Sequence, residues 1–421
     1  MPTRRAFLAA AGVALARPAA AAPATGRADP LLAPFDRLMT SFIAGNKVPG
    51  GALAVSRGGR LVYARGFGYA DLDRETPVQP RSLFRIASIS KPITAVAVLQ
   101  LVDRGRVRLD DPVMRYVPQR PALADGAAAD ARLNDITVRQ CLTHTGGWDR
   151  DKSGDPIAIP AHVARTLGTS PPVSHSDVIR YTLGRPLDFD PGTRHAYSNV
   201  GYLLLGRLVE TLGGVGYERY VKERVLAPIG VTTTQLGRAL PENRPADEVR
   251  YYDAKRGTGV CLYPPRAGQR VPFPDGAGNL EGYEAHGGWV ASAVDLVRFA
   301  SAFDEPARSP LLTGAAVFAM WERPFGPAGH DAGGKPKDAY YGLGWSARSA
   351  GVSRVNAWHS GLISGTSTLL VRRHDGLCWA ALFNTDRAAD GRVLSGVIDP
   401  LIHRAAAAEV TTWPAGESLG K

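Results

Sequence analysis

Ser88-Ile89-Ser90-Lys91 sets a hydroxyl and an amine three residues apart. On a helix, positions i and i+3 share a face, so the two groups can touch. The run 88–104, SISKPITAVAVLQLVDR, is apolar almost all round, which predicts a buried helix. Pro92 has no N–H to donate and belongs in a first turn, which puts Ser88 at the helix start. Unpaired N–H groups and the positive end of the helix dipole then lie beside the hydroxyl. A lysine buried there gives up its charge more readily and can take the serine proton. The chemistry this suggests is acyl transfer through a serine nucleophile. Ser-x-x-Lys spacings also arise by chance, so the weight comes from the position at a helix entry.

Two further groupings could serve the same chemistry. Tyr197-Ser198-Asn199 follows the turn Asp190-Pro191-Gly192 and precedes a helical run over 200–212, so it lies on a loop. A phenol titrates near ~10, and nearby cations lower that toward useful base strength. Asn199 can hold Lys91 and donate to a substrate carbonyl. Taken alone, Tyr-x-Asn reads as a loop that caps the next helix. His359-Ser360-Gly361 ends a strand signal over 356–359, and Gly361 would let a substrate backbone lie against the strand edge. Taken alone, it reads as a surface histidine at a strand end.

The elements that must carry these groups are legible in outline. Segments 51–57 and 60–69 read as strands joined by a Gly58-Gly59 hairpin turn. Segments 200–212 and 293–303 read as helices, the first amphipathic and ended by Gly213-Gly214. Strand signals return over 342–345, 356–359, 366–372 and 378–383, with a turn at His374-Asp375-Gly376, and 392–408 reads as a closing helix. Residues 149–174 have the loosest composition and predict a surface excursion. Strands flanking a helical middle define an α+β fold whose antiparallel sheet is assembled from both chain ends and flanked by helices. The expected division is a leader over 1–24, then one discontinuous domain. Its α/β part spans 30–115 and 285–410, and its mostly helical inserted part spans 116–284.

Together the three groupings resemble a known family. The order Ser-x-x-Lys, Tyr-x-Asn and [Lys/His]-x-Gly is similar to that of class C β-lactamases, D-Ala-D-Ala peptidases, penicillin-binding proteins and related esterases. Leu142-Thr143-His144-Thr145-Gly146-Gly147, Gly287-Gly288-Trp289-Val290-Ala291-Ser292 and Tyr341-Gly342-Leu343-Gly344-Trp345 extend the likeness, which covers about 35–405. The resemblance implies a β-lactamase/DD-peptidase-like fold and an acyl-enzyme on Ser88. It makes Lys91 and Tyr197 the proton-handling pair and leaves open which of them is the base. It places Asn199, His359, Ser360 and Gly361 in substrate binding, and forms the oxyanion hole from the backbone N–H groups of Ser88 and Leu362. The departure is His359, where dedicated class C β-lactamases carry the lysine of Lys-Thr-Gly. A histidine near ~6.5 is mostly neutral at pH 7 and anchors a carboxylate poorly. The expected substrates are therefore small esters, amides or D-amino-acid peptides, with β-lactam hydrolysis weak or absent. The alternatives are a slow-turnover penicillin-binding or sensor protein and a true class C-like β-lactamase.

Composition narrows the setting. Thr3-Arg4-Arg5-Ala6-Phe7-Leu8, an apolar run and the small residues 19–24 predict a twin-arginine export signal, cut after Ala22 or Ala24. The expected location is periplasmic or secreted. Net charge is +11; Arg4, Arg5 and Arg17 lie in the leader, which leaves +8 for the rest. That charge is scattered, so no nucleic-acid partner is expected, though loose adhesion to an anionic cell envelope is compatible with it. No apolar run reaches the ~20 residues of a membrane span. Cys141, Cys261 and Cys378 are far apart and allow at most one disulfide; Cys141 and Cys378 read as small core residues. His162, His175 and His195 sit in stretches that read as loops without ligand spacing, so neither a metal nor another cofactor is expected.

Overall fold

In the computed structural model, residues 22–124, 126–351 and 354–419 are described. The twin-arginine motif and its apolar run lie outside those residues. Pro23 and its neighbours already belong to the sheet: the Pro23 carbonyl accepts from Gly68 N–H at 2.8 Å, and Ala24–Thr25 pairs antiparallel with Arg60–Asp71.

Alternating side chains build the centre of the sheet. From one edge its order is Ala24–Thr25, Arg60–Asp71, Gly50–Arg57, Leu377–Phe383, Thr366–Arg372, Val355–Ile363, Ser346–Ser349 and Ala339–Tyr341, with every pairing antiparallel. Both chain ends contribute, as an α+β fold requires. Leu53, Val55, Leu369, Val371, Trp379, Ala381 and Phe383 face one core, against helices Ala33–Gly45 and Leu394–Arg404. Ala52, Ala54, Leu370, Cys378, Ala380 and Leu382 face the other, against helices Ser90–Asp103, Val200–Gly213 and Ala293–Ser301. Period-two alternation sends neighbours to opposite faces, and because both faces are covered the central strands are buried along their length. All three cysteines are free and buried. Among the described residues no helix is long and apolar enough to cross a membrane.

Several expectations are corrected. Residues 342–345 form the turn between Ala339–Tyr341 and Ser346–Ser349, closed by Gly342 N–H to Trp345 O at 2.8 Å. A side chain on Gly344 (φ +88°) would meet Ala95 Cβ at 2.4 Å, so the glycine lets this turn lie on helix Ser90–Asp103. His359-Ser360-Gly361 is the middle of a strand, Val355–Ile363, whose polar residues hid its length. Helix Val200–Gly213 is buried over Val200–Val209 and is a core helix with no broad polar face. His162 and His175 lie on helices Pro160–Leu167 and His175–Leu183; His195 alone of the three stays on a loop. Segment 149–174 lies mostly at the surface, as expected, yet it folds into short helices that bury Ile157, Val163 and Ala164, and its first residues reach the site.

Candidate active site

The hydroxyl of Ser88 stands on a tight turn. Ala87–Ile89 is one 3-10 turn leading into helix Ser90–Asp103. Ala87 has φ +47°, a left-handed conformation that a non-glycine residue adopts only when its surroundings impose it. The surroundings are specific. Ile86 N–H donates to Trp289 O at 2.9 Å, Thr368 Oγ1 donates to Ile86 O at 3.0 Å, and Ser90 Oγ donates to Ala87 O at 2.6 Å. Gly361 lies against the same turn, where an added Cβ would meet Ile86 O and Thr368 Oγ1, both at 2.3 Å. Its glycine therefore serves the approach of the strand to the Ala87–Ile89 turn, a packing reason that the sequence did not show.

Lys91 follows one turn later with no solvent exposure. Its Nζ lies 3.2 Å from Ser88 Oγ and donates to Asn199 Oδ1 at 2.7 Å and His286 O at 2.9 Å. Burial drives its pKa well below that of a free lysine; Asp155 pulls it back up and Arg150 pushes it further down. Asn199 Nδ2 donates to Asp155 Oδ2 at 2.6 Å. A carboxylate only accepts, so Asp155 fixes the amide with its oxygen toward Lys91. Asp155 is itself held, its Oδ1 accepting from Ile157 N–H at 3.2 Å.

Tyr197 completes the group. Lys91 Nζ lies 4.7 Å from its ring centre, and the Arg150 guanidinium lies 4.6 Å from it. Burial raises the phenol above its usual value, opposed by its hydrogen bond with Ser88 and by Arg150. The phenol is therefore protonated in the free protein at neutral pH.

His359 is buried, and burial pushes its pKa down to about 3, with the Lys91 charge acting in the same direction. Its Nδ1 lies 2.8 Å from Ser360 O and its Nε2 2.9 Å from Tyr341 Oη. A carbonyl can only accept, so Nδ1 carries the proton and Nε2 accepts from the tyrosine. It is thus a buried neutral donor–acceptor, deeper than the surface histidine the strand-end reading allowed. Ser360 and Leu362 are exposed, alternating with buried His359 and Gly361. Strand Ser346–Ser349 pairs only as far as Trp358, so His359–Ile363 keeps one edge open.

The structure brings Ser88, Lys91, Tyr197, Asn199, His359 and Gly361 into one place. The sequence does not announce Arg150 or Asp155, and it marks His144 and Tyr341 only as members of motifs, with no role at the site. Asp155 and Arg150 came from a segment with no periodicity; the signal available was an Asp-x-x-x-x-x-Asp pair, Asp149 and Asp155, capping two short helical pieces.

The model of the Beta-lactamase family matches residues 35–399, most of the chain, and the chain belongs to that family. It is 33% identical to Esterase EstB from Burkholderia gladioli over 257 residues, 59% of this chain and 60% of that protein. It is 26% identical to Penicillin-binding protein 4* from Bacillus subtilis (strain 168) over 342 residues, 77% of this chain and 65% of that protein. The chain thus spans less than two thirds of either relative's length. D-amino acid amidase from Ochrobactrum anthropi SV3, complexed with D-phenylalanine, has the same fold with a TM-score of 0.67; the match has 22% identity and covers 91% of this chain and all of that one. The octameric penicillin-binding protein homologue from Pyrococcus abyssi matches with a TM-score of 0.62 and 24% identity, over 88% of this chain and 76% of that one.

Proposed function

We propose that the protein is a serine hydrolase that forms an acyl-enzyme on Ser88 from small esters, amides or D-amino-acid peptides and hydrolyses β-lactams poorly if at all. The observation that carries this is the Lys91 amine, buried, 3.2 Å from Ser88 Oγ. A neutral amine has two hydrogens and one lone pair. Asn199 Oδ1 and His286 O, both pure acceptors, take the two hydrogens. The lone pair then faces Ser88 Oγ–H and accepts its proton as the oxygen attacks the carbonyl carbon. Tyr197, with its phenol protonated, passes a proton to the leaving group as the tetrahedral intermediate collapses. The N–H groups of Ser88 and Leu362 hold the oxyanion. Water then attacks the ester, giving up its proton along the same route. An extended substrate lies along the open edge of His359–Ile363, where Ser360 and Asn199 orient it. Neutral His359, with both ring nitrogens engaged by Ser360 and Tyr341, holds the strand in place and offers no permanent cation to a substrate carboxylate.

Export through the twin-arginine route belongs to the same reading and would place the enzyme in the periplasm or medium. The sheet pairing of Pro23–Thr25 favours cleavage after Ala22, since cutting after Ala24 would remove the Pro23 carbonyl that Gly68 N–H uses.

The test is intact-mass analysis after separate incubation with a short-chain nitrophenyl ester, a D-amino-acid amide and a penicillin. A transient adduct on Ser88 with turnover is expected from one of the first two and none from Ser88→Ala. A long-lived penicillin adduct would favour a slow penicillin-binding protein, and unchanged ester turnover in Ser88→Ala would end the hydrolase reading.

A further inference from the structure

His144 belongs to no step of that mechanism, yet it is fully enclosed and stands on both sides of Tyr197 at once. Its carbonyl accepts from Ala196 N–H at 2.9 Å, and its ring Nδ1 accepts from Ser198 N–H at 3.2 Å. The residues just before and just after the phenol are therefore tied to one residue. The imidazole ring itself packs on the phenol, with centres 4.2 Å apart, and on Tyr341 at 4.4 Å. The neighbours of His144 extend the grip: Thr145 O accepts from Gly192 N–H, and Gly147 O from Asp188 N–H, each at 2.8 Å. Segment 144–147 is thus a fixed rail for the loop 188–198, and among the described residues His144 provides the side-chain hydrogen bond between them.

The backbone of His144 reinforces the point. Its φ is +57°, a left-handed conformation that costs a non-glycine residue free energy. That conformation is where the carbonyl and the ring nitrogen reach the two flanking amides together. Because Nδ1 accepts, the proton sits on Nε2, which is buried and finds no hydrogen-bond partner among the described residues. A buried donor left unpaired and a strained backbone are both costs, and an apolar ring would avoid the first. The acceptor at Nδ1 is what an apolar ring could not supply.

We propose that His144 is a positioning residue for the reaction: a neutral imidazole that brackets Tyr197 and sets the place of its phenol against Ser88 and Lys91. The inference rests on the hydrolase reading above and adds to it a residue that touches neither substrate nor the reacting atoms. The ring stays uncharged at working pH because burial, with a smaller push from the Arg150 charge, takes its pKa well below that of a free histidine.

A double-mutant cycle tests it, with hydrolysis of a nitrophenyl ester as the readout. His144→Ala removes the ring acceptor, and kcat should fall about 10- to 100-fold with KM changed less than about twofold, the signature of a displaced proton carrier. His144→Asn can accept from Ser198 N–H through Oδ1 and tolerates the left-handed backbone. It should recover most of the loss, to within about threefold of the parent. In a Tyr197→Phe background, His144→Ala should cost little more, because the group it positions is gone. An undiminished cost of His144→Ala in that background, or an unchanged kcat in His144→Ala alone, overturns the inference while leaving the Ser88 reading intact. An unchanged kcat in Tyr197→Phe overturns the inference and the proton-delivery role given to Tyr197, while the nucleophile reading of Ser88 stands or falls on Ser88→Ala. Loss in His144→Asn equal to that in His144→Ala, with both proteins folded by circular dichroism, also overturns it.

Discussion

Ser88, Lys91, His359 and Gly361 stand on a helix entry and a strand whose neighbours are themselves buried, whereas Tyr197, Asn199 and Asp155 stand on loops and Arg150 opens the one-turn helix Arg150–Ser153. The first wall is held by core packing: helix Ser90–Asp103 is buried from Ser90 through Leu101, and strand Val355–Ile363 pairs along its length with fully buried Thr366–Arg372. The second wall is held by polar contacts between loops. Asp149 N–H donates to Asp188 Oδ2 at 2.8 Å, Asp149 pairs with Arg194, and Asp155 grips Asn199. Each wall carries one residue in a left-handed conformation without being glycine, Ala87 in the first and His144 in the second. On the proposed mechanism, the packed wall places the nucleophile and its base, and the loop wall sets charge and proton delivery. Loss of the Ser88 hydroxyl from the first should abolish chemistry, and loss of a charge from the second should retune it.

The largest effect should come from the packed wall. Ser88→Ala should lower ester hydrolysis by at least about 10³-fold while leaving the melting midpoint near that of the parent, measured side by side. Gly361→Ala comes next. Its Cβ would overlap a carbonyl oxygen and the Thr368 hydroxyl, so strand and turn must separate. A rate loss of about 10- to 100-fold and a stability loss of about 1–3 kcal/mol are expected from kinetics and urea unfolding. Near-parental kinetics in Gly361→Ala would show that the close approach of strand to turn does not matter.

The packed wall was also the wall the sequence disclosed. Pro92, the all-apolar run after it and the Gly58-Gly59 hairpin are local signals with local causes, and each element appeared within a few residues of its expected place. His359-Ser360-Gly361 was found but misplaced at a strand end, because Ser360 and Gly361 interrupt the apolar alternation for functional and packing reasons. The loop wall was legible only where a motif marked it, at Tyr197 and Asn199. Arg150 and Asp155 act through contacts between segments about 45 residues apart in sequence, as in Asp155 with Asn199, and no periodicity encodes such a meeting. Residues 149–174 looked like a surface excursion because their composition is polar. Part of that polarity is turned inward onto the amide that orients the lysine.

Smaller effects should come from the loop wall, and their signs are opposed. Asp155 raises the Lys91 pKa and Arg150 lowers it. If the neutral amine is the base, activity rises with pH through that group's apparent pKa. Asp155→Asn keeps an acceptor for Asn199 Nδ2 and loses the charge, so the rising limb of kcat/KM should move to lower pH. Arg150→Met should move it to higher pH. Each shift is expected to be at most about one pH unit, since Arg150 is half-exposed and water screens it. Limbs moving in the same direction would show that the two variants act through loop geometry and not through charge on the base.

The smallest effect concerns stability alone and returns to the packed wall. His359 is protonated only below about 3 in the folded protein, against ~6.5 in an unfolded chain. Its folded pKa is depressed, so between those values the unfolded chain binds a proton that the folded one does not. Stability contributed by the neutral ring is therefore intact above about pH 6.5 and declines as pH falls toward 3. One such site adds at most about 1.4 kcal/mol per pH unit to the slope. His144 and His286, also buried and depressed, add slopes of the same sign. His359→Gln can still donate to Ser360 O and accept from Tyr341, but it does not titrate. Its unfolding free energy, measured in urea at pH 7, 6, 5 and 4.5, should decline less steeply than the parent's, by up to that one-site slope. Parallel declines in the two proteins would mean that the ring takes up its proton without leaving the core, and that the neutral donor–acceptor role assigned to it at the nucleophile is wrong.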